Sequence, residues 1–415
     1  MHDVIIIGSG GAGLSAAIEA KKISDKVLII TKAGLGASNT ALGQGGMQAV
    51  FSERDSVESH VQDTLNNGKT NDLKLVKLMC SKGNETIKWL EGLGMEFDKD
   101  EEGKYIAKKS PGSSFPRTIS FKGVMIGPKL ISILAGKVKE MKIEFKENSP
   151  VTGIKKNEFF EVKTEKEEFQ CRALIIAGGG AGYKKGKESG ILSSNHVTAT
   201  GEATDFALKL GAQARDIDSF QLHPFGVSYP RQMQGKIIST TIIHYGVKLL
   251  NKNKERFVDE NLDRESVCSA MFKEKEKNNF IEKDGAIGFY LDFSDVVKKH
   301  GIDLIKQRMS SYYNSAKAFG IDLAEEPLLV YPIMHYQNGG LKINEKAETN
   351  IEGLFACGEC TGGVHGTNRM AGNSYLDILV FGRIAGKNAA LAGQIRSPKR
   401  FGGDLHDLRF ARSCS

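Results

Sequence analysis

The segment HGTNRMAGNSY, from His365 to Tyr375, places one long cation among small residues. Small residues let another molecule approach the backbone closely. The guanidinium group of Arg369 can bind a carboxylate or a phosphate through two parallel hydrogen bonds. The segment therefore indicates an anion-binding loop, with a structural salt bridge of Arg369 as the alternative.

A second chemical signal lies near the start of the chain, in DVIIIGSGGAGLSAAIEAKK. Asp3 to Ile7 is an apolar, β-branched run that is typical of a buried parallel strand. A G-x-G-x-x-G turn follows, then a helix-prone stretch and a second apolar run, KVLIIT. This order predicts a dinucleotide site, in which the backbone and the helix start contact a pyrophosphate. A glycine-rich turn without a ligand is the alternative.

The acidic residue that usually binds the adenosine ribose is missing, because the second strand ends in Thr31 and Lys32. A second candidate lies far downstream in LFACGEC, where an apolar strand leads to Glu359. Cys357 and Cys360 of that segment have a C-x-x-C spacing that can be redox-active. We interpret the two cysteines as structural, since the strand-to-loop turn and Glu359 account for the segment.

The elements that must position these residues follow from apolar and glycine patterns. Two helices are predicted, around Val57–Leu65 and Leu73–Leu93, and residues 143–182 alternate like a strand meander that ends in a buried strand. From about Gln221 to Leu328 the share of charged residues increases and the strand patterns become weaker. After that, the pattern of strand, glycine turn and helix returns. We therefore expect an α/β fold in which one nucleotide-binding domain, 1–220 and 328–395, is interrupted by an inserted domain, 221–327, and followed by a tail, 396–415.

Composition narrows the classes of function. The net charge of +7 favours an anionic ligand, but no arginine-rich arm or base-stacking aromatic pattern occurs, which argues against nucleic acid. The six cysteines form no cluster motif, so we predict no metal site and a reducing compartment. No apolar run could span a bilayer and no signal segment precedes the first strand, so we expect a cytoplasmic location.

Taken together, the motifs resemble one family, the flavoprotein subunits of fumarate reductase and succinate dehydrogenase, which includes L-aspartate oxidase. The resemblance covers the chain through Gly393 and keeps the family's order of motifs. They are GSGGAGLSAA, ASNTALGQGG, ESHVQDTLNNG, SSNHVTATGEA, QLHP, ERFVDENLDRES, HYQNGG, GLFACGECTGGVHGTNRMAGNS and VFGRIAG. It implies a Rossmann-like FAD-binding domain with an inserted α+β capping domain, and a substrate held between the two beside the flavin.

The resemblance also implies the FAD contacts. The residues at the matching positions are Gly8, Gly10, Gly11, Gly13, Lys32, Ser38, Thr40, Gly45, Gly46, Glu359, Ser374 and Leu376. Membrane-bound members attach FAD covalently through the histidine of a Ser-His-Thr segment, which reads SNT here. With Asn39 at that position we predict non-covalent FAD. Covalent attachment in the family raises the reduction potential of the flavin, which succinate oxidation needs, so Asn39 favours reduction or oxidase chemistry.

The substrate residues implied by the resemblance are His223, Arg264, His335 and Arg369. In the family, two carboxylates of a C4 acid are bound by the arginine of HGTNR, by two histidines and by the capping domain. Hydride passes between flavin N5 and an alkene carbon, and a proton is exchanged at the neighbouring carbon, for which the matching acid is Arg264. Each residue also has a structural alternative. These are a loop histidine for His223, a turn cap for His335, a helix-surface position for Arg264 and a salt bridge for Arg369.

The family's proton relay is altered in this chain. Its Thr-Glu pair matches Ser239 and Thr240, and its arginine matches Ile243. His244 and Tyr245 are adjacent candidates for a different relay. The alternative is that the substrate differs from fumarate.

Two further departures concern the substrate. The family's His-Pro-Thr reads His-Pro-Phe, with Phe225 in place of a hydroxyl. The acid that faces the substrate ammonium in L-aspartate oxidase is replaced by Ser110. This serine makes the aspartate assignment weaker, although AVFSERDSVESHVQDTL is very similar to that branch.

Three functions therefore stay open. The first is an FAD-dependent reductase of a fumarate-like unsaturated dicarboxylate, the second is L-aspartate oxidase, and the third is a flavoprotein electron-transfer subunit with an altered substrate site. For the first, electrons must come from a partner, such as an iron–sulfur protein, or from a diffusible donor. Such a protein would be cytoplasmic or peripheral to a membrane complex.

Overall fold

The computed structural model describes residues 1–120, 125–238, 240–243 and 245–395. The strands are β1 (His2–Ile7), β2 (Val27–Ile30), β3 (Met47–Gln48), β4 (Ala107–Lys108), β5 (Thr118–Ile119), β6 (Glu144–Lys146), β7 (Val151–Lys156), β8 (Phe160–Thr164), β9 (Glu168–Ile176), β10 (Ala214–Arg215), β11 (Phe220–Tyr229), β12 (Lys248–Leu250), β13 (Ile281–Lys283), β14 (Ala286–Asp292), β15 (Leu328–Gln337), β16 (Gly340–Lys342), β17 (Leu354–Ala356) and β18 (Thr361–Gly362). The helices are α1 (Gly11–Lys21), α2 (Asn39–Leu42), α3 (Val57–Gly68), α4 (Leu73–Ser81), α5 (Gly83–Gly92), α6 (Ile126–Glu140), α7 (Gly182–Ser189), α8 (Glu202–Lys209), α9 (Thr240–Ile243), α10 (Arg264–Glu276), α11 (Ser294–His300), α12 (Ile302–Arg308), α13 (Ser310–Ala318) and α14 (Asn373–Ile395). The predicted tail at 396–415 lies outside the described residues.

A parallel sheet lies at the centre of the first hydrophobic core. Its strand order is β6-β2-β1-β9, with β17 also pairing with β9, and β8 and β7 extend it in antiparallel fashion. The inner strands are continuous runs of buried β-branched and leucine residues, because both faces of the sheet are covered. The predicted amino-terminal strands and the meander ending in a buried strand are confirmed.

The turn between β1 and α1 requires glycine at two positions. Gly8 has a φ of +108°, and a Cβ there would lie 2.2 Å from the carbonyl oxygen of Ala177. A Cβ on Gly13 would lie 2.0 Å from the carbonyl oxygen of Gly8. Only glycine therefore lets the first turn of α1 pack directly on the end of β1. This packing places the start of α1 at the carboxyl edge of the parallel sheet.

One helix prediction needs a correction. Leu73–Leu93 is not one helix, because the chain leaves helical geometry at Lys82, with φ −91° and ψ 2°, between α4 and α5. Gly83 follows, and a Cβ there would lie 3.3 Å from the Cα of Ala49. A glycine has low helix propensity, and this one packs closely against a neighbouring segment, which explains the break. The other predicted helix is confirmed as Val57–Gly68.

A second hydrophobic core is built on an antiparallel sheet, in the order β11-β15-β14-β12, with β13 pairing with β14. Its buried residues run from Phe225 to Val330. Strands β11 and β15 are ten residues long and pair with irregular register on both sides of His223. Pro224 has no N–H for the ladder, which accounts for an irregularity at this point. The two strands carry His223 and His335, so this pair positions both candidate histidines.

Helix α14 is 23 residues long and packs against α1 and the parallel sheet. Its start, Asn373, is fully buried and donates a hydrogen bond to Thr64 Oγ1. In the described part of the chain, no helix combines the length and the apolarity needed to cross a membrane.

Candidate active site

A cavity of about 830 Å³ lies at the carboxyl edge of the parallel sheet and reaches β11 and β15 of the second core. Most predicted site residues line it, namely Gly8, Gly10, Gly11, Lys32, Ser38, Thr40, Gly45, Gly46, His223, Arg264, His335, Glu359, Arg369 and Ser374. Gly13 and Leu376 do not line it, because Gly13 packs on Gly8 and Leu376 is fully buried in the first core. A direct FAD contact of these two residues stays a prediction.

One part of the cavity has the features of a pyrophosphate cradle. Helix α1 begins after Gly10, which has no side chain to accept from the first N–H groups of the helix. Nothing lies within 4 Å of the position that a Cβ would occupy on Gly45 or Gly179. The backbone N–H of Gly11 donates to Thr40 Oγ1 at 3.2 Å. Open backbone beside a helix start without a side chain at its N-cap fits a dinucleotide with an anionic pyrophosphate, which Gly8, Gly10 and Gly11 would hold.

The cavity wall beside the end of β2 contains a carboxylate that the sequence analysis missed. Lys32 Nζ, just after β2, donates to Glu202 Oε2 at 2.7 Å and to Thr200 Oγ1 at 2.5 Å. Burial raises the pKa of Glu202, but the hydrogen bonds from Lys32 and Thr200 outweigh it and lower the pKa overall. Glu202 thus brings an acid to the strand end that lacks one, from a segment more than 150 residues away in the chain. The glycine-acid pair in TATGEA was the only signal for it.

Asn39 is held on three sides. Its Nδ2 donates to Asn195 Oδ1 at 2.7 Å and to Glu359 Oε2 at 3.1 Å, and its Oδ1 accepts from the backbone N–H of His196 at 2.7 Å. Glu359 Oε1 also accepts from the backbone N–H of Gln337 at 3.0 Å. Burial raises the pKa of Glu359, although these hydrogen bonds oppose the shift. The amide of Asn39 therefore joins two loops at the cavity wall.

The opposite end of the cavity is cationic. Arg264 is the first residue of α10, whose N-cap Asp263 accepts from the backbone N–H of Ser266. Arg264 Nη1 donates to Gln221 Oε1 at 2.8 Å, and Arg369 Nη2 donates to the same oxygen at 3.4 Å. The structure thus brings together two predicted residues that are separated by more than 100 positions. Gln221 was not assigned a role from sequence, and its place in QLHP was the only hint.

The two histidines have different tautomers. Arg369 Nη2 lies 3.3 Å from His335 Nε2, and since a guanidinium only donates, this nitrogen accepts. His335 Nδ1 therefore carries the proton and donates to Ser194 Oγ at 2.9 Å. In His223 the Nδ1 atom accepts from the backbone N–H of Phe225 at 3.2 Å, so Nε2 carries the proton. The rings lie 5.2 Å apart. His223 thus offers a donor while His335 supports Arg369.

Burial and like charge disfavour protonation throughout this cluster. Burial and the neighbouring Arg369 lower the pKa of Arg264 to about 9. Burial, Arg264 and Arg369 lower the pKa of His223, and burial, Arg264, His223 and Arg369 lower that of His335. Over the described residues, neither guanidinium forms a salt bridge with a carboxylate, and Arg369 Nε is buried without a hydrogen-bond partner. Two buried cations without a carboxylate partner are suited to an anionic ligand.

The predicted relay position holds an aliphatic side chain. Ile243 is 2% exposed and packs in the second core, so it cannot transfer a proton. Tyr245 lines the cavity, and its ring lies 5.7 Å from that of His300. Ser239 and His244 lie outside the described residues, and only the backbone of Thr240 is described, in α9.

Two other positions that differ from the family's motifs, Ser110 and Phe225, lie in or near the cavity wall. Ser110 lines the cavity and its Oγ lies 2.7 Å from Thr118 Oγ1. Lys108 and Lys109 line the same wall. Phe225 is 1% exposed, with its ring 5.9 Å from that of His223. The wall around Ser110 is therefore neutral to basic.

The C-x-x-C pair has the properties of structural thiols. Cys357 and Cys360 are both 1% exposed, and the described cysteines form no disulfide bond. Cys360 Sγ donates to the carbonyl oxygen of Ile176 at 3.2 Å. Burial raises the pKa of Cys360 to about 12 and also raises that of Cys357. Thiols that stay protonated are poor redox nucleophiles, in agreement with the structural interpretation.

Comparison with known proteins places this chain in a family. The family model described as FAD binding domain matches residues 3–375. A chain of the fumarate reductase (CoM/CoB) from Methanothermobacter marburgensis is 32% identical over 408 residues, covering 94% of this chain and 72% of the relative. An L-aspartate oxidase of Clostridium acetobutylicum is 33% identical over 399 residues, covering 93% of this chain and 87% of the relative.

Solved structures agree with the sequence comparison. A variant of the E. coli quinol fumarate reductase chain FrdA superposes with a TM-score of 0.87 at 27% identity, covering 96% of this chain and 72% of that chain. The predicted family is thereby confirmed. The chain belongs to the FAD-dependent oxidoreductase family that contains the fumarate reductases and the L-aspartate oxidases.

Proposed function

We propose that this protein reduces a fumarate-like unsaturated dicarboxylate. The observation that carries the proposal is the pair Arg264 and Arg369, which share the neutral oxygen of Gln221 and form no salt bridge with a described carboxylate. A dicarboxylate would supply the missing negative charge. It would also satisfy the buried Nε of Arg369.

Each residue of the cationic end has a chemical role in this proposal. Arg369 binds one carboxylate through its guanidinium fork, and His335 holds that guanidinium from the side through Nε2. His223 donates from Nε2 to the substrate. Arg264 delivers the proton to the carbon next to the one that receives hydride. The lowered pKa of about 9 makes Arg264 a better acid than an arginine in water, while its charge stabilises the developing carbanion.

FAD, when bound, supplies the hydride. We propose that it is held by the twelve predicted contacts from Gly8 to Leu376 and by Glu202. We further propose that it is held non-covalently, because the side chain at the attachment position is an amide already engaged with Glu359 and Asn195. In this proposal the first core is a Rossmann-like FAD-binding domain. The second core is an inserted α+β capping domain with the predicted boundaries 221–327, and β15, which begins at Leu328, also pairs into its sheet.

L-aspartate oxidase is the second candidate, favoured by the relative of that name at 33% identity. Its substrate carries an ammonium group, which an acid near Ser110 would bind. Lys108 and Lys109 lie at that wall instead and would repel the ammonium. An electron-transfer subunit with an altered substrate site is the third candidate, favoured by the buried Ile243 at the relay position.

The electrons must come from outside this chain, from an iron–sulfur or other donor protein or from a diffusible donor. A cytoplasmic location, free or at the periphery of a membrane complex, is part of the proposal.

One pair of assays separates the three candidates. FAD-loaded protein is offered fumarate with reduced viologen, and separately L-aspartate with oxygen. We expect turnover in the first assay alone. Turnover in the second alone would establish the aspartate oxidase, and turnover in neither would favour the electron-transfer subunit.

A further inference from the structure

Gln221 is the point at which the two cationic side chains of the site meet. The residue is 6% exposed and lies near the start of β11. Its Oε1 accepts from Arg264 at 2.8 Å and from Arg369 at 3.4 Å. One side chain thus connects the first residue of α10 with the loop that precedes α14.

The orientation of this amide is determined by its partners. Its Nε2 donates to Asn368 Oδ1 at 2.7 Å and to the carbonyl oxygen of Arg369 at 2.8 Å. A flipped amide would place its two donor hydrogens against two guanidinium groups and its oxygen against two acceptors. The amide therefore holds the backbone of residues 368 and 369 as well as both guanidinium groups.

The neutral charge of the amide matters as much as its shape. A carboxylate at the same place would form ion pairs with both arginines, raise their pKa values and offset one of the two positive charges that attract an anionic substrate. An amide oxygen orients the same donors and leaves their charge available. This requirement separates position 221 from an ordinary buried hydrogen-bonding site.

We propose that Gln221 is a positioning residue that sets the geometry of Arg264 relative to Arg369 and must be neutral, so that both cations stay available to a dicarboxylate. The inference rests on the proposed function and assigns a role for that reaction to a residue outside the predicted set. It also explains how the proton donor and the carboxylate fork stay aligned although they belong to different hydrophobic cores.

The test compares the isosteric change Gln221→Glu with the apolar change Gln221→Leu in the FAD-loaded full chain. Gln62→Glu is the matched control, because Gln62 is exposed on α3 and does not line the cavity. Malonate, a saturated dicarboxylate that cannot be reduced, is titrated by calorimetry, and kcat and KM are measured with fumarate. The flavin spectrum and Tm report on folding.

We expect Gln221→Glu to weaken malonate binding roughly 100-fold, since it places a negative charge beside two buried cations and competes with malonate for both. Gln221→Leu keeps the charge and loses only the hydrogen bonds, so we expect about a tenfold loss in kcat and a smaller loss in malonate affinity. The control should equal the unmodified protein in every measurement. This order of effects, at unchanged flavin spectrum, is the signature of a neutral positioning residue.

Three results would overturn the inference. Malonate binding by Gln221→Glu within about twofold of the unmodified protein would show that charge at this position is irrelevant. Unchanged kcat in Gln221→Leu would exclude a positioning role. Equal losses in both variants, together with lost FAD and lowered Tm, would make Gln221 a structural residue. If the unmodified protein does not turn over fumarate, the proposed function fails, whereas the malonate titrations still decide the role of Gln221.

Discussion

His335 accepts a hydrogen bond from Arg369, with 3.3 Å between Nε2 and Nη2. The guanidinium has no acceptor atom, so this contact requires a neutral imidazole with its proton on Nδ1. A protonated His335 would instead place two cations in direct contact. The histidine therefore orients the guanidinium of Arg369 and is not the proton donor in the proposed reaction, for which we propose Arg264.

The pH dependence of turnover should reflect this assignment. The pKa of His335 and of His223 is lowered well below 6.5, so both stay neutral and KM for fumarate should be constant from about pH 6 to about pH 8, where Arg264 also keeps its charge. Arg264 must be protonated to act as the acid, so the rate should fall as pH rises through its pKa of about 9. Steady-state kinetics between about pH 6 and 10 measure both. A rate that rises with pH through this range would contradict the assignment.

Arg264→Ala should reduce kcat with fumarate by about 10²- to 10⁴-fold, the usual effect of removing a positioned acid. The flavin spectrum should not change, because Arg264 lies at the substrate end of the cavity. Arg54→Ala is a suitable control, since Arg54 is exposed and its side chain is outside the cavity. Retained turnover in Arg264→Ala would mean that another group donates the proton.

FAD should leave the protein completely on denaturation. Acid precipitation of holoprotein should leave all flavin absorbance in the supernatant, because Asn39 offers no nucleophile. Asn39→Ala removes hydrogen bonds to Glu359 and Asn195, one of them to a charged group, and should weaken FAD binding about tenfold. Asn157→Ala, at an exposed position, is the control for fluorescence titrations with FAD. Flavin that stays in the pellet would disprove non-covalent binding.

Ser110→Glu should shift the preference of the site toward an amino acid. A carboxylate in this wall would offset Lys108 and Lys109 and could pair with an ammonium group, so fumarate turnover should fall about tenfold and binding of L-aspartate should become measurable. Ser81→Glu introduces the same charge at an exposed helix end and serves as the control. If both variants behave like the unmodified protein, Ser110 does not face the substrate.

Local patterns were sufficient for much of the fold. The β-branched run before the first glycines predicted a buried parallel strand, because strands covered on both faces tolerate only apolar residues. The same kind of reasoning failed for Leu73–Leu93, where Gly83 packs close to Ala49 and the helix breaks. The apolar period continues across that break, and Gly83 is only a weak local signal of it.

The sequence by itself determined the family, the dinucleotide turn and the four candidate substrate residues, since each depends on short motifs whose residue types and spacing are local. Only the tertiary structure decided which side chains form an ion pair or donate to the same acceptor. Glu202 reaches Lys32 because α8 packs against β7 and β9 of the sheet that also contains β2, and Gln221 links Arg264 with Arg369 because two chain segments from different cores converge there. Contacts of this kind join residues more than 40 positions apart, and burial then sets their pKa values, so no local pattern encodes them.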